Sequence, residues 1–227
     1  MFTGLIEATG TVLAVTPSLT AGGPTRLTIS APELAPRLRQ GDSIAVSGVC
    51  LTALEITRTQ FSADLAQETV ERTHLASLVP GDVINLELPT PAGSPLGGHV
   101  VQGHVDGVGT LLSLDPITKD GKTDWRLRVA VPSGLIRYIV PQGSITLEGI
   151  SLTVADLRGD IVAVAIIPHT YEATALRTLL PGAPINVEVD VLAKYAERQF
   201  SAAPPRPLET TTTGWTVTEE YLLSNGY

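Results

Sequence analysis

The stretch Ser47-Gly48-Val49-Cys50-Leu51-Thr52 returns further along the chain as Glu148-Gly149-Ile150-Ser151-Leu152-Thr153. The two glycines lie 101 positions apart, and Thr69/Thr170, Thr73/Thr174, Gly81/Gly182 and Asn85/Asn186 keep the same spacing. One offset shared by landmarks so far apart marks a duplicated unit of about a hundred residues.

Working outward from each box, the two units read alike. A Gly-led apolar run enters the box (43–46 and 144–147) and others follow it (53–56 and 154–157, then 61–65 and 161–167). Before it, runs 11–15 and 26–29 flank the turn 21–24, and runs 110–114 and 125–131 flank Asp120-Gly121. Asp-Gly between alternating apolar residues is a strong hairpin signal. Pro32 and Pro132 open short helical segments, since proline is tolerated at a first helical position. A Pro-Gly turn (80–81 and 181–182) leads into the last run of each unit, 83–88 and 185–189. About six short strands per unit leave exposed edges as a flat sheet, and closure removes them. The sequence therefore predicts an all-β protein of two tandem, homologous, six-stranded closed antiparallel Greek-key barrels plus a C-terminal helix. The domains are 1–97, 98–190 and a tail, 191–227. Residues 89–98 carry no apolar period and form the linker. In the tail, Val191, Leu192, Tyr195, Ala196 and Phe200 make a helical stripe halted by Pro204. Thr216 and Glu219 suggest a capping box for a last short helix. The stripe needs a partner surface, for which other subunits are the better candidate.

Composition narrows the function. Hydrophobic residues make up 43% and charged residues 17%, an ordinary globular balance. A net charge of −8 repels nucleic acid and anionic membranes, so neither is an expected partner. No basic stretch followed by an apolar core opens the chain, so no signal peptide is expected. No apolar run is long enough to span a bilayer. The single Cys excludes an intramolecular disulfide and suits a reducing cytoplasm. Four His and one Cys show no zinc spacing, so no metal is expected.

The informative positions are those where the copies differ. Leu5 matches His104, Cys50 matches Ser151, Gln67 matches Pro168 and Glu68 matches His169. Backbone-defining glycines and threonines are kept while reactive side chains diverge, as expected of two similar ligands with different chemical parts. A lone Cys is more often a small buried hydrophobe, and strand threonines are usually satisfied by backbone. His104 lies in a polar, Gly-flanked segment, unlike core filler, and His169 beside Pro168 reads as exposed.

Met1-Phe2-Thr3-Gly4, both boxes, Gly97-Gly98-His99-Val100-Val101-Gln102-Gly103-His104 and Asn186-Val187-Glu188-Val189-Asp190 with Lys194-Tyr195 resemble the alpha-type riboflavin synthase family. The resemblance covers roughly residues 1–200. It implies a transferase of riboflavin biosynthesis that needs no cofactor. Two 6,7-dimethyl-8-ribityllumazine molecules occupy each site, one passes a four-carbon unit to the other, and riboflavin and 5-amino-6-ribitylaminouracil leave. It further implies a homotrimer with sites between subunits, and association with lumazine synthase as a further partner. Carried over by position, the first pocket uses Ser43, Cys50, Leu51, Thr52 and the segment Asp64, Leu65, Ala66, Gln67, Glu68, Thr69. The second uses Ser151, Leu152, Thr153 and the segment Ala165, Ile166, Ile167, Pro168, His169, Thr170, with Asp190 nearby. Gly4-Leu5-Ile6 and Gly103-His104-Val105 are the edges each barrel presents across the subunit interface. Gln142 stands where many members carry a lysine, and Glu148 where many carry Asp. The resemblance gives catalytic parts to His104, Ser151, Cys50, Thr153 and Asp190. His104 suits proton transfer, because imidazole exchanges protons near neutral pH. A non-catalytic lumazine- or flavin-binding protein on the same fold is the alternative.

Overall fold

The computed structural model describes residues 1–18, 23–119, 122–201 and 224. Parts of the 21–24 turn, the 120–121 turn and the Thr216–Glu219 capping box lie outside the described residues. The chain divides into two compact units, Met1–Lys194, which holds both copies, and Tyr195–Tyr227.

The first copy contributes β1 (Ala8–Thr16), β2 (Thr25–Ser30), β3 (Ser43–Val46), β4 (Val49–Thr52), β5 (Gln60–Leu65), α1 (Gln67–Arg72) and β6 (Val83–Glu87). The second contributes β7 (Gly107–Lys119), β8 (Lys122–Ala130), β9 (Ser144–Leu147), β10 (Ile150–Arg158), β11 (Ile161–Ile166), α2 (Pro168–Ala173) and β12 (Pro184–Val189). α3 (Val191–Ser201) follows. All pairings are antiparallel, in the order β4-β3-β6-β1-β2-β5 and β10-β11-β8-β7-β12-β9. The short α1 and α2 were not expected, because one and a half turns carry no readable period.

The second sheet closes into a barrel, whereas the first stops short of closure. Both expected six-stranded antiparallel barrels are present, one closed and one nearly closed. Run 154–157 continues β10 and pairs with β11 from Val154 to Arg158. Its counterpart 53–56 is no strand: Glu55 turns left-handed (φ 46°), and only the bridge Leu54–Ser62 joins the two edges. Arg26 grips both Glu55 and Asp64 across this gap. Inside, alternate residues such as Leu27, Ile29, Ile44, Phe61 and Ile84 fill the first copy. Leu127, Val129, Ile145, Val164 and Val187 fill the second.

Each box opens with a two-residue hairpin, Ser47-Gly48 between Val46 and Val49 and Glu148-Gly149 between Leu147 and Ile150. Both residues of each turn have positive φ, the type I′ geometry that suits twisted strands. The two turns meet back to back: a Cβ on Gly48 lies 2.7 Å from the Gly149 nitrogen, and the converse holds. Asn85 on β6 donates to the Glu148 carbonyl (2.9 Å), and Asn186 on β12 donates to the Ser47 carbonyl (3.0 Å). The repeat is thus a pseudo-two-fold pair whose landmark Gly and Asn residues weld one copy to the other.

One ion pair breaks that symmetry. The buried His74 ring nitrogen Nε2 lies 2.8 Å from Glu148 Oε1, where the reciprocal positions hold Ala175 and Ser47. Burial opposes the imidazolium charge, but Glu148 outweighs it and the net shift of His74 is upward. A raised folded value gives stability that is complete below the unfolded value of about 6.5 and lost as pH rises through the folded one. His74→Ala is therefore expected to cost about 3 kcal/mol in acid and less at high pH, measured by denaturant unfolding across pH. The His74→Ala/Glu148→Ser double variant, which copies the reciprocal positions, is expected to recover part of that loss and flatten the profile.

Candidate functional site

The segment that leads into each copy does not stay with it. Phe2 pairs with Val101, Gly4 O accepts from Ser151 N–H (2.8 Å), and Gly103 O accepts from Cys50 N–H (2.9 Å). The start of the first copy therefore lies on the box of the second, and the start of the second lies on the box of the first. Fit is tight: a Cβ on Gly4 sits 2.6 Å from Ser151 Cβ, and one on Gly103 sits 2.7 Å from Cys50 Cβ.

Two buried carboxylates hold these crossing segments. Glu87 at the end of β6 accepts from Thr3 N–H (2.6 Å), Thr3 Oγ1–H (2.8 Å) and Gly4 N–H (3.0 Å). Glu188 on β12 accepts from the N–H groups of Gln102 (2.8 Å), Gly103 (3.0 Å) and His104 (3.1 Å). Burial pushes both carboxyls up, against the pull of these hydrogen bonds. Removing Glu188 orphans three backbone donors at once. Glu188→Ala is expected to destabilise by about 3 kcal/mol, read by thermal unfolding, and to loosen the His104 segment.

The result on the first copy is a cavity of about 430 Å³. Cys50, Ala66, Glu68 and Thr69 line one side, and Gly103, His104 and Val105 line the other. Arg72, Thr73, Asp106 and Lys194 complete it, residues the sequence reading did not assign. Lys194 Nζ pairs with Asp106 Oδ1 at 2.7 Å, and Arg72 with Glu68 at 2.8 Å. A mostly polar lining with a thiol, two Thr hydroxyls, an imidazole and two carboxylate-paired cations, beside the small apolar surface of Val49, Ala66 and Val105, suits a flat heterocycle with carbonyl oxygens and a polyol arm. Leu51 and Leu65 instead fill the core, Asp64 is committed to Arg26, and Ser43, Thr52 and Gln67 do not line the cavity.

On the second copy, Ser151 is covered differently. His99 Nδ1 lies 2.7 Å from Ser151 Oγ, and His99 Nε2 lies 3.2 Å from Thr146 Oγ1. Leu5 Cδ1 lies 2.7 Å from a Cβ built on Gly97, so the linker seats on the Gly4-Leu5-Ile6 edge. Burial pushes the His99 imidazole below its ordinary value, with Asp190 pulling the other way. Asp190 itself accepts from Leu192 N–H at the start of α3 (2.9 Å). Leu152 and Ile166 are core, whereas Gln142, Thr153, Ala165, Ile167, Pro168 and His169 are exposed. The hydroxyl of Thr174 donates to the Thr170 carbonyl (2.7 Å). His99 was missed as a site residue; it follows a Gly-rich linker, and no position in the first unit compares with it. Within the chain, Gly4 and Gly103 each lie against the box of the other copy.

A larger concavity, about 610 Å³, lies on the outer face of the second barrel among Arg126, Arg128, Arg158, Asp115 and Asp156. No box residue reaches it, so the chemistry argues for the smaller cavity. Among the described residues no cluster of three His, Cys, Asp or Glu is placed to hold a metal ion. No described helix is long and apolar enough to cross a membrane.

Two copies of one small barrel, each presenting its box to the other's leading segment, define a tandem ligand-binding module. A family model described as the lumazine binding domain matches it twice, over residues 3–89 and 102–190. Riboflavin synthase of Mycobacterium tuberculosis (strain H37Rv) is 43% identical over 208 residues, covering 89% of this chain and all of that one. Riboflavin synthase of Bacillus subtilis (strain 168) is 37% identical over 227 residues, the full length of both. The chain belongs to the riboflavin synthase family. In fold it is similar to LumP complexed with riboflavin, with a TM-score of 0.74, 24% identity, and 83% of this chain and 99% of that one covered.

Proposed function

We propose that this protein is a riboflavin synthase, converting two molecules of 6,7-dimethyl-8-ribityllumazine into riboflavin and 5-amino-6-ribitylaminouracil. The observation that carries the reading is the reciprocal crossing that builds two related sites with different reactive side chains. Cys50 and His104 meet at one, and Ser151 and His99 at the other. The 37% identity over full length to the Bacillus subtilis riboflavin synthase supports it.

One lumazine loses a proton from its 7-methyl group, and the carbanion attacks the second at an electron-poor ring carbon. His104 carries protons at the Cys50 cavity. Ser151 assists addition at the partner ring, Thr153 holds substrate beside it, and Cys50 adds to its lumazine or shapes the pocket. Asp190 tunes His99. Arg72 and Lys194 face the carbonyl and polyol oxygens. Holding two rings in register contributes about 7–11 kcal/mol, the usual gain from orienting a reacting pair. A homotrimer is part of the reading, because the exposed Leu192 on α3 and its apolar stripe call for a partner surface. A single free thiol fits the cytoplasm.

The test is incubation of the purified protein with the lumazine alone, followed by absorbance and fluorescence. Turnover to riboflavin is expected. A stable complex without product selects a non-catalytic lumazine-binding protein.

A further inference from the structure

The two boxes differ in more than the Cys50/Ser151 exchange. Three neighbouring features change together on the second copy. Ser151 replaces a thiol, Thr146 stands where the first copy has Ala45, and His99 sits between them with no counterpart. His99 touches both new hydroxyls, Ser151 Oγ through Nδ1 (2.7 Å) and Thr146 Oγ1 through Nε2 (3.2 Å). Thr146 is buried on β9 as the direct antiparallel partner of Ser151, while Ser151 stays half-buried at the site. Gly98 leaves room for this contact, since a Cβ there lies 3.1 Å from Ser151 Oγ and 2.0 Å from the Thr3 carbonyl.

We infer that Thr146, His99 and Ser151 form a hydroxyl–imidazole–hydroxyl relay that makes Ser151 the nucleophile toward the lumazine held by the second barrel. His99 is a positioning residue in this scheme and Ser151 the residue that meets substrate. The inference deepens the proposed function and rests on it. With Nε2–H donated to Thr146, Nδ1 is the acceptor that faces the serine hydroxyl. As Ser151 Oγ bonds to the electron-poor ring carbon, its proton passes to Nδ1, and the displaced π pair comes to rest on a ring nitrogen. Both are returned when the C–O bond breaks, so no oxidant or reductant is required. Burial keeps the imidazole neutral and ready to accept, against the pull of the Asp190 carboxylate at the end of β12. A neutral base below its ordinary value places the acid limb of turnover below the usual histidine range.

His99→Asn retains a polar group near the Nδ1 position but takes up no proton. It is expected to lower kcat by about 100-fold with KM within about threefold, and to abolish the acid limb of the kcat–pH profile. Thr146→Val, which keeps the shape, is expected to lower kcat by about tenfold. A second readout does not depend on turnover. In a Cys50→Ser/Ser151→Cys background, iodoacetamide is expected to alkylate Cys at position 151 at least tenfold faster at pH 7 than when His99→Asn is added. Unchanged alkylation on adding His99→Asn overturns the relay, as does a raised KM with kcat and its pH limb intact, the signature of a mere linker anchor. If the wild-type protein turns over no lumazine, the proposed function fails, while the alkylation comparison still judges the relay.

Discussion

Gly149→Ala is expected to lower the unfolding free energy by about 4 kcal/mol and the melting temperature by roughly 8–16 °C. Two costs combine. Alanine at a φ of +79° is strained by about 1 kcal/mol, and its Cβ meets the Gly48 nitrogen at 2.7 Å and its Cα at 3.0 Å. Those are backbone atoms of an opposing type I′ turn, so no side chain can swing away. Relief requires the two copies to separate, which strains the Asn85 and Asn186 hydrogen bonds that cross between them. Gly48→Ala is expected to behave alike, because the contact is reciprocal. Gly134, which faces open space, supplies the control, and its alanine variant is expected to stay within about 0.5 kcal/mol of the parent. A Gly149→Ala protein melting within about 2 °C of the parent contradicts this account of the inter-copy contact.

The second large effect concerns chemistry. His104→Ala and Ser151→Ala are each expected to lower turnover by about 100-fold or more while leaving the melting temperature nearly unchanged. His104 is exposed on the cavity wall, and its own backbone N–H, which the substitution retains, makes the contact with Glu188. Removing the imidazole therefore deletes a proton carrier and leaves the fold's bonds in place. Ser151 keeps its N–H bond to Gly4 O when its hydroxyl is lost, and gives up only the Oγ contact with His99. Steady-state kinetics beside circular dichroism separates the two effects. Normal turnover in both variants removes the roles given to these side chains.

Much of this architecture was legible because a duplication repeats whatever the backbone cannot do without. Gly48, Gly81, Gly149 and Gly182 all sit at positive φ, and their shared spacing exposed the repeat. Asn85 and Asn186 were visible as landmarks, yet nothing local announced that their amides reach across to the other copy. The crossing of residues 2–4 and 101–103 was equally silent, since Glu87 and Glu188 read as ordinary strand residues. Their task depends on which chain segment arrives beside them. The incomplete first barrel turned on Glu55 and its contact with Arg26, a side-chain interaction with no periodic signature. At the site, both box residues and His104 were readable as positions where the copies diverge. Comparison between copies found them and, by the same token, passed over His99, which has nothing to be compared with. Lys194 belongs to a motif, but its place at the cavity depends on Asp106, which holds its Nζ there.

In the proposed reaction two copies of one box hold two molecules of the same compound in different chemical roles, and product balance is the test. Purified protein given only 6,7-dimethyl-8-ribityllumazine is expected to form one riboflavin and one 5-amino-6-ribitylaminouracil for every two lumazines consumed, quantified together by chromatography. Lumazine recovered intact, or riboflavin formed without an equal amount of the pyrimidine, contradicts it.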